Sequence, residues 1–340
     1  MSGKGAGGAP RGPDGGRKVR ADAEDQPPPA AGAARLDGRS IPAGLDSLQR
    51  RFGSLIDADP TIADDDPVFL LAAGWRSGST LLQRILVSGG SLLMWGEPYD
   101  HSASIRSMAE MLAPFDDDWP RDRYIVSSPV DVNPDTWIAN RYPHPLDFLA
   151  AHRSFLDRLF AEPARTAGYA RWGIKTVRLG GEHARYLKSL YPGSRIVFLV
   201  RNPYDCFLSY RMLHGVRPAS QWWYYRWPDH QVSTAAQYGL VWREHVRSFV
   251  DAAHDVGALI VSFESLVGGE TVDELTTFVG EDIKASVLMS RIGASSEQKR
   301  APTAEQAVLS IDEIWALGQA VNPLALELGY RGPSTTPAKR

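Results

Sequence analysis

The chain contains a single cysteine among 340 residues, so no internal disulfide can form, and no Cys/His spacing predicts a zinc site. Its 37 Lys and Arg and 40 Asp and Glu leave a net charge of -3, which argues against a nucleic-acid or anionic-membrane partner. No run approaches the roughly 20 apolar residues of a membrane span, and no signal-peptide core follows the N-terminus. We therefore expect a cytoplasmic protein without a transmembrane segment, in which Cys206 is a small buried residue and any anion site is a local cluster.

Large apolar side chains are also scarce over residues 1–41, where Gly, Pro and Ala dominate. Such a segment cannot bury enough apolar surface to offset the entropy lost on ordering. We predict a disordered tail over 1–41, one folded domain over 42–332 and a disordered end over 333–340. The many Ala, Arg, Gly and Asp residues are typical of proteins from GC-rich bacterial genomes.

Short apolar runs alternate with helical patterns along the rest of the chain. The runs predict buried strands at 67–73, 92–95, 172–177, 195–200 and 259–263. Helical spacing predicts helices after the first and fourth strands and over 146–160, 181–190 and 235–253. This alternation indicates the α/β class: one domain with a central, mainly parallel sheet flanked by helices.

The segment Gly74–Thr80 (GWRSGST) lies where the first strand should meet a helix. Backbone N–H groups at such a junction bind anions, and Gly78 allows a close approach. Arg76 adds a permanent cation, and hydroxyl groups come from Ser77, Ser79 and Thr80. An ATP-binding loop of the form GxxxxGK[ST] would have a lysine where this segment has Ser79, so the sequence disfavours an ordinary ATPase or kinase.

A second basic junction follows the strand over 195–200. Arg201 comes directly after it, Pro203 is suited to a first helical turn, and Ser209 lies about two turns further on. Two strand-to-helix junctions, each with an arginine and hydroxyl groups, suit a ligand with two phosphate-bearing ends. The nucleotide 3'-phosphoadenosine-5'-phosphosulfate (PAPS) is such a ligand.

These two segments together resemble the PAPS-dependent sulfotransferase superfamily. Residues 75–82 resemble its 5'-phosphosulfate loop in the Arg-bearing form, and residues 195–211 resemble its 3'-phosphate motif, with Arg201 and Ser209 at the phosphate-binding positions. The resemblance covers 67 to about 330, in a bacterial protein similar to the tyrosylprotein and carbohydrate branch. It implies a fold related to P-loop nucleotide kinases, PAPS as donor, adenosine 3',5'-bisphosphate (PAP) as product, and no metal.

Sulfonyl transfer by in-line displacement needs a group that accepts the proton of the acceptor hydroxyl. Glu97, in a Gly-Glu pair similar to that of tyrosylprotein sulfotransferases, is the predicted base. The cytosolic animal enzymes use a histidine instead, so His101 is the runner-up, placed beside the acceptor, and His144 and His152 are weaker alternatives. Related enzymes carry a lysine near Lys175, which implies contact with the sulfonate or the leaving oxygen, and Arg76 would stabilise charge there.

Two further segments complete the predicted site. A late basic segment closes over the nucleotide in the family, and its counterparts here are Ser295, Lys299 and Arg300, for which a solvated loop is the alternative. The aromatic stretch at 222–230 would serve as an acceptor wall, as a packed helix cap or as a contact in a homodimer. Its predicted acceptor-binding residues are Trp222, Trp223 and Tyr224.

The acceptor is predicted only as a hydroxyl compound. A small metabolite, a glycan and a lipid-linked sugar all remain open, and a tyrosine peptide is less favoured because that activity belongs to secreted compartments. Two rival functions also remain: a P-loop kinase that transfers phosphate to a small molecule, and a non-catalytic nucleotide-binding protein of the same fold.

Overall fold

The computed structural model describes most of the chain from residue 40 to residue 334. The described residues are 40–97, 102–126, 141–214, 226–227, 230–284, 286–287 and 308–334. The chain divides into units 1–34 and 35–340, and all described residues belong to the second. The disordered tail predicted over 1–41 therefore falls almost entirely outside the described residues.

A five-stranded sheet in which all neighbours are parallel forms the centre of the described unit. Its strands are β1 (Val68–Ala72), β2 (Leu92–Trp95), β3 (Arg171–Thr176), β4 (Arg195–Val200) and β7 (Leu259–Ser262), in the order β2-β3-β1-β4-β7. Every residue of β1 and all but the first residue of β4 are buried, as expected of strands covered on both faces. The predicted α/β class and parallel sheet are confirmed.

Helices cover the sheet and follow most of its strands. They are α1 (Ile41–Phe52), α2 (Leu55–Ala58), α3 (Ser79–Leu86), α4 (Ser104–Glu110), α5 (Pro145–Leu156), α6 (Glu162–Thr166), α7 (Gly181–Leu190), α8 (Pro203–His214), α9 (Ala235–Val256), α10 (Phe263–Gly268), α11 (Val272–Val279), α12 (Ile311–Val321) and α13 (Leu324–Glu327). The side chain of Thr234 caps α9 by accepting from Gln237 N, and Gly257 ends that helix in a left-handed conformation. No helix among the described residues is long and apolar enough to cross a membrane.

Two elements differ from the sequence-based expectations. The helix predicted over 146–160 ends at Leu156 and continues as a π-helical turn, Asp157–Ala161, before α6. A short antiparallel pair, β5 (Arg226–Trp227) with β6 (His230–Gln231), occupies part of the aromatic segment for which no strand was expected.

The register of the sheet brings several predicted site residues to the edge formed by the carboxyl ends of its strands, which we call the sheet edge. Leu71 pairs with Thr176 and Ala72 pairs with Leu199, so the loops that begin at Gly74 and Arg201 leave the sheet side by side. The chain passes from β1 to β2 in one direction across the sheet and from β3 to β4 in the other, because β2 and β4 lie on either side of the adjacent strands β3 and β1. Open parallel sheets bind ligands at such a reversal, beyond the carboxyl ends of the strands.

Candidate active site

The loop between β1 and α3 is held by its carbonyl oxygens. Three consecutive carbonyls, at positions 74 to 76, each accept a hydrogen bond from a side chain of the described structure. The donors are Ser77 Oγ to Gly74 O (2.9 Å), Tyr238 Oη to Trp75 O (2.6 Å) and Arg201 Nη1 to Arg76 O (2.9 Å). Because the carbonyls are fixed, the peptide units of the loop are oriented before any ligand binds.

In contrast to its carbonyl oxygens, most backbone N–H groups of this loop lack hydrogen-bond partners among the described residues. For the backbone N–H groups of Arg76 to Thr80, no hydrogen-bond acceptor occurs within the described part of the chain. Five consecutive N–H donors at the start of α3, together with the helix dipole, form a cradle for an anion. The hydroxyl of Ser77 is not part of this donor set, since its proton is already donated to Gly74 O.

Two residues of the loop adopt left-handed backbone conformations. Arg76 has φ 65°, which is uncommon for a residue with a side chain and is typical of functional sites. Gly78 has φ 91°, and a Cβ atom there would lie 2.2 Å from Cδ2 of Phe263. The ring of Phe263, at the start of α10, therefore packs against the loop where only glycine fits.

Arg201 links this loop to the end of β4. Its guanidinium donates through Nη1 to Arg76 O, and its Cζ atom lies 4.3 Å from the centre of the Phe263 ring. The Nε atom of Arg201 is buried and has no partner among the described residues. A buried guanidinium N–H without an acceptor is costly unless a ligand supplies one, so this atom marks a place for an anion.

Arg76 and Ser209 join the two predicted motifs directly. The Nε atom of Arg76 donates to Ser209 Oγ over 3.0 Å, so the hydroxyl of α8 orients the loop arginine. Arg76 as a residue is exposed, but its guanidinium is crowded by protein atoms, and this desolvation and the charge of Arg201 lower the pKa of Arg76. An anion between the two arginines would relieve their repulsion.

Lys175 and Glu97 form an ion pair at the same sheet edge. Lys175 Nζ, from the end of β3, donates to Glu97 Oε1, two residues beyond β2. The lysine side chain is 7% exposed and the glutamate side chain 33% exposed, so the carboxylate is the member of the pair that solvent can reach. The structure thus brings together the predicted base and the predicted sulfonate-binding cation.

Cys206 and Tyr238 stand behind the loop as uncharged groups. Burial raises the pKa of Cys206 to about 12, and its thiol donates to Arg76 O over 3.6 Å. Burial also raises the pKa of Tyr238 well above its ordinary value, which keeps its hydroxyl protonated as a donor to Trp75 O. The expectation that Cys206 is a small buried residue is confirmed.

An aromatic platform borders the loop on the side of α8. The rings of Trp75 and Tyr210 are stacked, with centroids 5.5 Å apart and an interplanar angle of 20°. The guanidinium of Arg178, three residues after Lys175, lies over the Trp75 ring at 5.1 Å from its centre. Cation–π contact of this kind fixes the position of Arg178 beside the site.

The weaker histidine candidates have structural roles. His144 caps α5, since its Nδ1 accepts from Leu146 N at 3.3 Å. His152 is 6% exposed, contacts the hydroxyl of Tyr186 through Nδ1 at 3.0 Å, and has a pKa lowered by burial. In both rings the Nδ1 atom is engaged in a contact within the protein.

Several predicted site residues lie outside the described residues: His101, Trp222, Trp223, Tyr224, Ser295, Lys299 and Arg300. Their predicted roles remain predictions. Sequence reasoning also missed three residues that shape the site. They are Phe263, Tyr238 and Trp242, of which the last donates from Nε1 to Arg201 O at 2.9 Å. An aromatic at a strand end or on an amphipathic helix looks like an ordinary core residue, so nothing in the sequence distinguished them.

Comparison with known proteins gives one family match. The model of the sulfotransferase family matches residues 67–283, from β1 to beyond α11. Among curated proteins, none matches the chain significantly.

Solved sulfotransferase structures align with the chain at low identity. A mouse sulfotransferase complexed with PAP is 16% identical over 69% of this chain and 65% of its own, slightly less than two thirds, with a TM-score of 0.35. A sulfotransferase from Alicyclobacillus acidocaldarius is 15% identical over 75% of this chain and 95% of its own, with a TM-score of 0.35. One from Mycobacterium avium is 16% identical over 84% and 83%, with a TM-score of 0.34.

The family match covers well over half of the chain and includes the loop after β1, the Lys175–Glu97 pair and the junction at Arg201. The chain belongs to the sulfotransferase family.

Proposed function

We propose that this protein transfers a sulfonyl group from PAPS to the hydroxyl group of an acceptor, with Glu97 as the general base. The observation that carries the proposal is the Lys175–Glu97 pair, which lies at the sheet edge beside an anion cradle. The catalytic domain proposed for this activity spans 42–332.

The residues at the sheet edge fit a doubly phosphorylated nucleotide. Five N–H donors from Arg76 to Thr80 match one anionic end, and the Arg76 side chain lies beside them. Arg201 presents its buried Nε atom for a second anionic group. In this proposal Arg76 and the loop amides bind the 5'-phosphosulfate, while Arg201 and Ser209 bind the 3'-phosphate.

PAPS supplies the sulfonyl group and leaves as PAP. Glu97 accepts the proton of the acceptor hydroxyl as its oxygen forms the new bond to sulfur. The bond between sulfur and the bridging oxygen breaks, and that oxygen stays on the 5'-phosphate with the electron pair. Lys175 and Arg76 stabilise the negative charge that develops there, and no metal is required for this balance.

The ion pair prepares both of its members for these roles. The ammonium group of Lys175 holds one oxygen of Glu97, and the partial exposure of the carboxylate leaves it accessible to an acceptor. Lys175 itself is almost completely buried, so its charge acts in a medium where electrostatic interactions are stronger than in water. The single contact between Lys175 and Glu97 therefore orients the base and holds the buried ammonium group in place.

The decisive experiment measures transfer from labelled PAPS and PAP binding in the same variants. With a panel of hydroxyl acceptors, the wild-type protein should release PAP and form a labelled ester in the presence of a chelator. Glu97→Gln should bind PAP as the wild type does but lose at least about 100-fold in turnover. ATP with Mg²⁺ should not replace PAPS.

A matched control is Glu110→Gln, which changes a carboxylate on the exposed face of α4 that pairs with Arg106. Its turnover should equal that of the wild type. Turnover retained in Glu97→Gln would remove Glu97 as the base, and absence of PAP binding in the wild-type protein would overturn the proposed function.

A further inference from the structure

The peptide unit that joins Arg201 to Asn202 is held from both sides. Its carbonyl oxygen accepts from Nε1 of Trp242 at 2.9 Å, and its N–H group donates to Oε1 of Glu264 at 3.0 Å. Trp242 belongs to α9 and Glu264 to α10. Since the side chain of Arg201 starts at this peptide, the two bonds fix the direction in which its guanidinium leaves the backbone.

Tyr330 contacts both of these partners. Its hydroxyl donates to Oε2 of Glu264 at 3.1 Å, and its ring meets the Trp242 ring edge to face, with centroids 6.2 Å apart. Burial and the neighbouring carboxylate of Glu264 raise the pKa of Tyr330, so the hydroxyl remains protonated and donates. A residue 129 positions after Arg201 therefore supports both hydrogen bonds of its peptide unit (330 − 201).

The residues after Tyr330 add bonds to the same region. Asn202 Nδ2 donates to Gly332 O at 2.9 Å, and Ser334 N donates to Asp205 Oδ1 at 3.1 Å. The Ser334 hydroxyl also donates to Asp205 Oδ2. We call residues 330–334 the strap. The Tyr330 hydroxyl bonds to α10, and Gly332 and Ser334 bond to Asn202 and Asp205 at the start of α8, while Tyr330 N donates to Ala325 O of α13 at 2.8 Å.

We propose that the strap positions Arg201 for the 3'-phosphate of the nucleotide, with Tyr330 as the positioning residue. This inference rests on the proposed function, because it takes Arg201 as the 3'-phosphate ligand. Among the described residues, Tyr330 supports the Arg201 peptide through Glu264 and Trp242, so its effect should be largest at the phosphate that Arg201 binds. Binding of the 5'-phosphate should change less, because Ser77 Oγ and Tyr238 Oη hold two of the three carbonyls of the loop after β1 independently of Arg201.

Titration calorimetry with two nucleotides tests this separation in the full chain. PAP carries the 3'-phosphate, whereas adenosine 5'-monophosphate (AMP) lacks it. Tyr330→Phe removes the hydrogen bond to Glu264 but keeps the ring against Trp242. It should weaken PAP binding about 3- to 10-fold and change AMP binding less than about twofold.

The matched control is Tyr186→Phe, which removes a buried tyrosine hydroxyl that contacts His152 at 3.0 Å in the core. This variant should lose thermal stability while keeping the wild-type ratio of PAP to AMP affinity. If Tyr330 had only a structural role, Tyr330→Phe would behave like Tyr186→Phe. It would change the affinities for PAP and AMP by the same factor or leave both unchanged.

A double-mutant cycle provides the second readout. If Tyr330 acts through Arg201, Tyr330→Phe should have no further effect on PAP binding once Arg201→Met has removed the guanidinium. Additive losses would overturn the proposal. A wild-type protein that binds PAP and AMP equally would instead contradict the proposed function. If Arg201→Met lost the preference for PAP over AMP while Tyr330→Phe kept it, the inference would be refuted and the proposed function would stand.

Discussion

The Nε atom of Arg76 lies 3.0 Å from the hydroxyl of Ser209, and this hydrogen bond joins segments 133 residues apart in the chain. Each segment carries one of the two predicted anion-binding motifs, so the two motifs are adjacent in the fold. The contact gives Ser209 two roles, since it orients the loop arginine and also lies at the predicted 3'-phosphate position.

Replacing Ser209 with alanine should weaken nucleotide binding without unfolding the protein. Arg76 loses the acceptor that fixes its side chain, so we expect PAP affinity to fall about 3- to 10-fold, measured by calorimetry. Ser189→Ala is the control, because that hydroxyl only donates to Tyr186 O at 2.7 Å within α7. Equal PAP affinities of the two variants would contradict this role of Ser209.

Lys175→Met should separate binding from turnover. The substitution keeps the length of a side chain that is 7% exposed, and it leaves Glu97 partly solvated at 33% exposure. Loss of a preorganised cation should lower turnover on the order of 10²–10³-fold, while PAP affinity changes less than about threefold. Lys188→Met, at an ammonium that contacts Ser194 O at 2.9 Å, should keep full turnover. If the main change in Lys175→Met were PAP affinity, the lysine would be a nucleotide-binding residue and not a catalytic one.

Gly78→Ala tests the shape of the loop. The left-handed conformation costs a side chain about 1–2 kcal/mol, and the new Cβ would lie 2.2 Å from Phe263. Gly90 is the matched control, since it has φ 93° and no atom within 4 Å of an added Cβ. We expect thermal unfolding to show a larger loss for Gly78→Ala than for Gly90→Ala, and only Gly78→Ala to lose PAP binding. Equal losses would mean that the ring of Phe263 moves aside freely.

Two buried histidines should make the fold sensitive to acid. Burial and Arg106 lower the pKa of His183 from 6.5 to about 3, and burial and His183 lower that of His245 to about 3. Both are neutral in the folded protein but bind protons once unfolded, so stability is fully present above pH 6.5. It should be lost as the pH falls from 6.5 towards 3, by about 1.4 kcal/mol per pH unit for each histidine.

The slope of unfolding free energy against pH checks this expectation. His183→Gln should reduce the slope between pH 6 and pH 4, whereas His254→Gln should not, because His254 is fully exposed. An unchanged slope in His183→Gln would show that His183 does not contribute to acid unfolding.

The central strands of the sheet were predictable from the sequence because they are buried on both faces. The runs at 67–73 and 195–200 are continuous and apolar, and the structure places β1 and β4 within them. The end of α5 was not predictable, because the π-helical turn from Asp157 coincides with a contact between Asp157 Oδ1 and the hydroxyl of Tyr191 at 2.9 Å. A contact between residues this far apart leaves no periodic signal.

The site was predictable where a local pattern carries the chemistry and not where the fold assembles it. Gly78 and Arg76 lie in a recognisable strand-to-helix junction. The pairing of Lys175 with Glu97 depends on the parallel register of β2 and β3, which places Trp95 opposite Ile174. Tyr330 is beyond prediction from sequence, since its two partners come from different helices and only the folded chain brings them together.

The inert thiol of Cys206 has a practical consequence. Burial raises the pKa of Cys206 to about 12 and leaves the thiol without exposed surface, so it is protonated and inaccessible at neutral pH. Since the chain has no other cysteine, a second one introduced on an exposed helix would be the sole target for a maleimide fluorophore. The unmodified sequence is therefore a ready background for single-site labelling, with the native thiol left as it is.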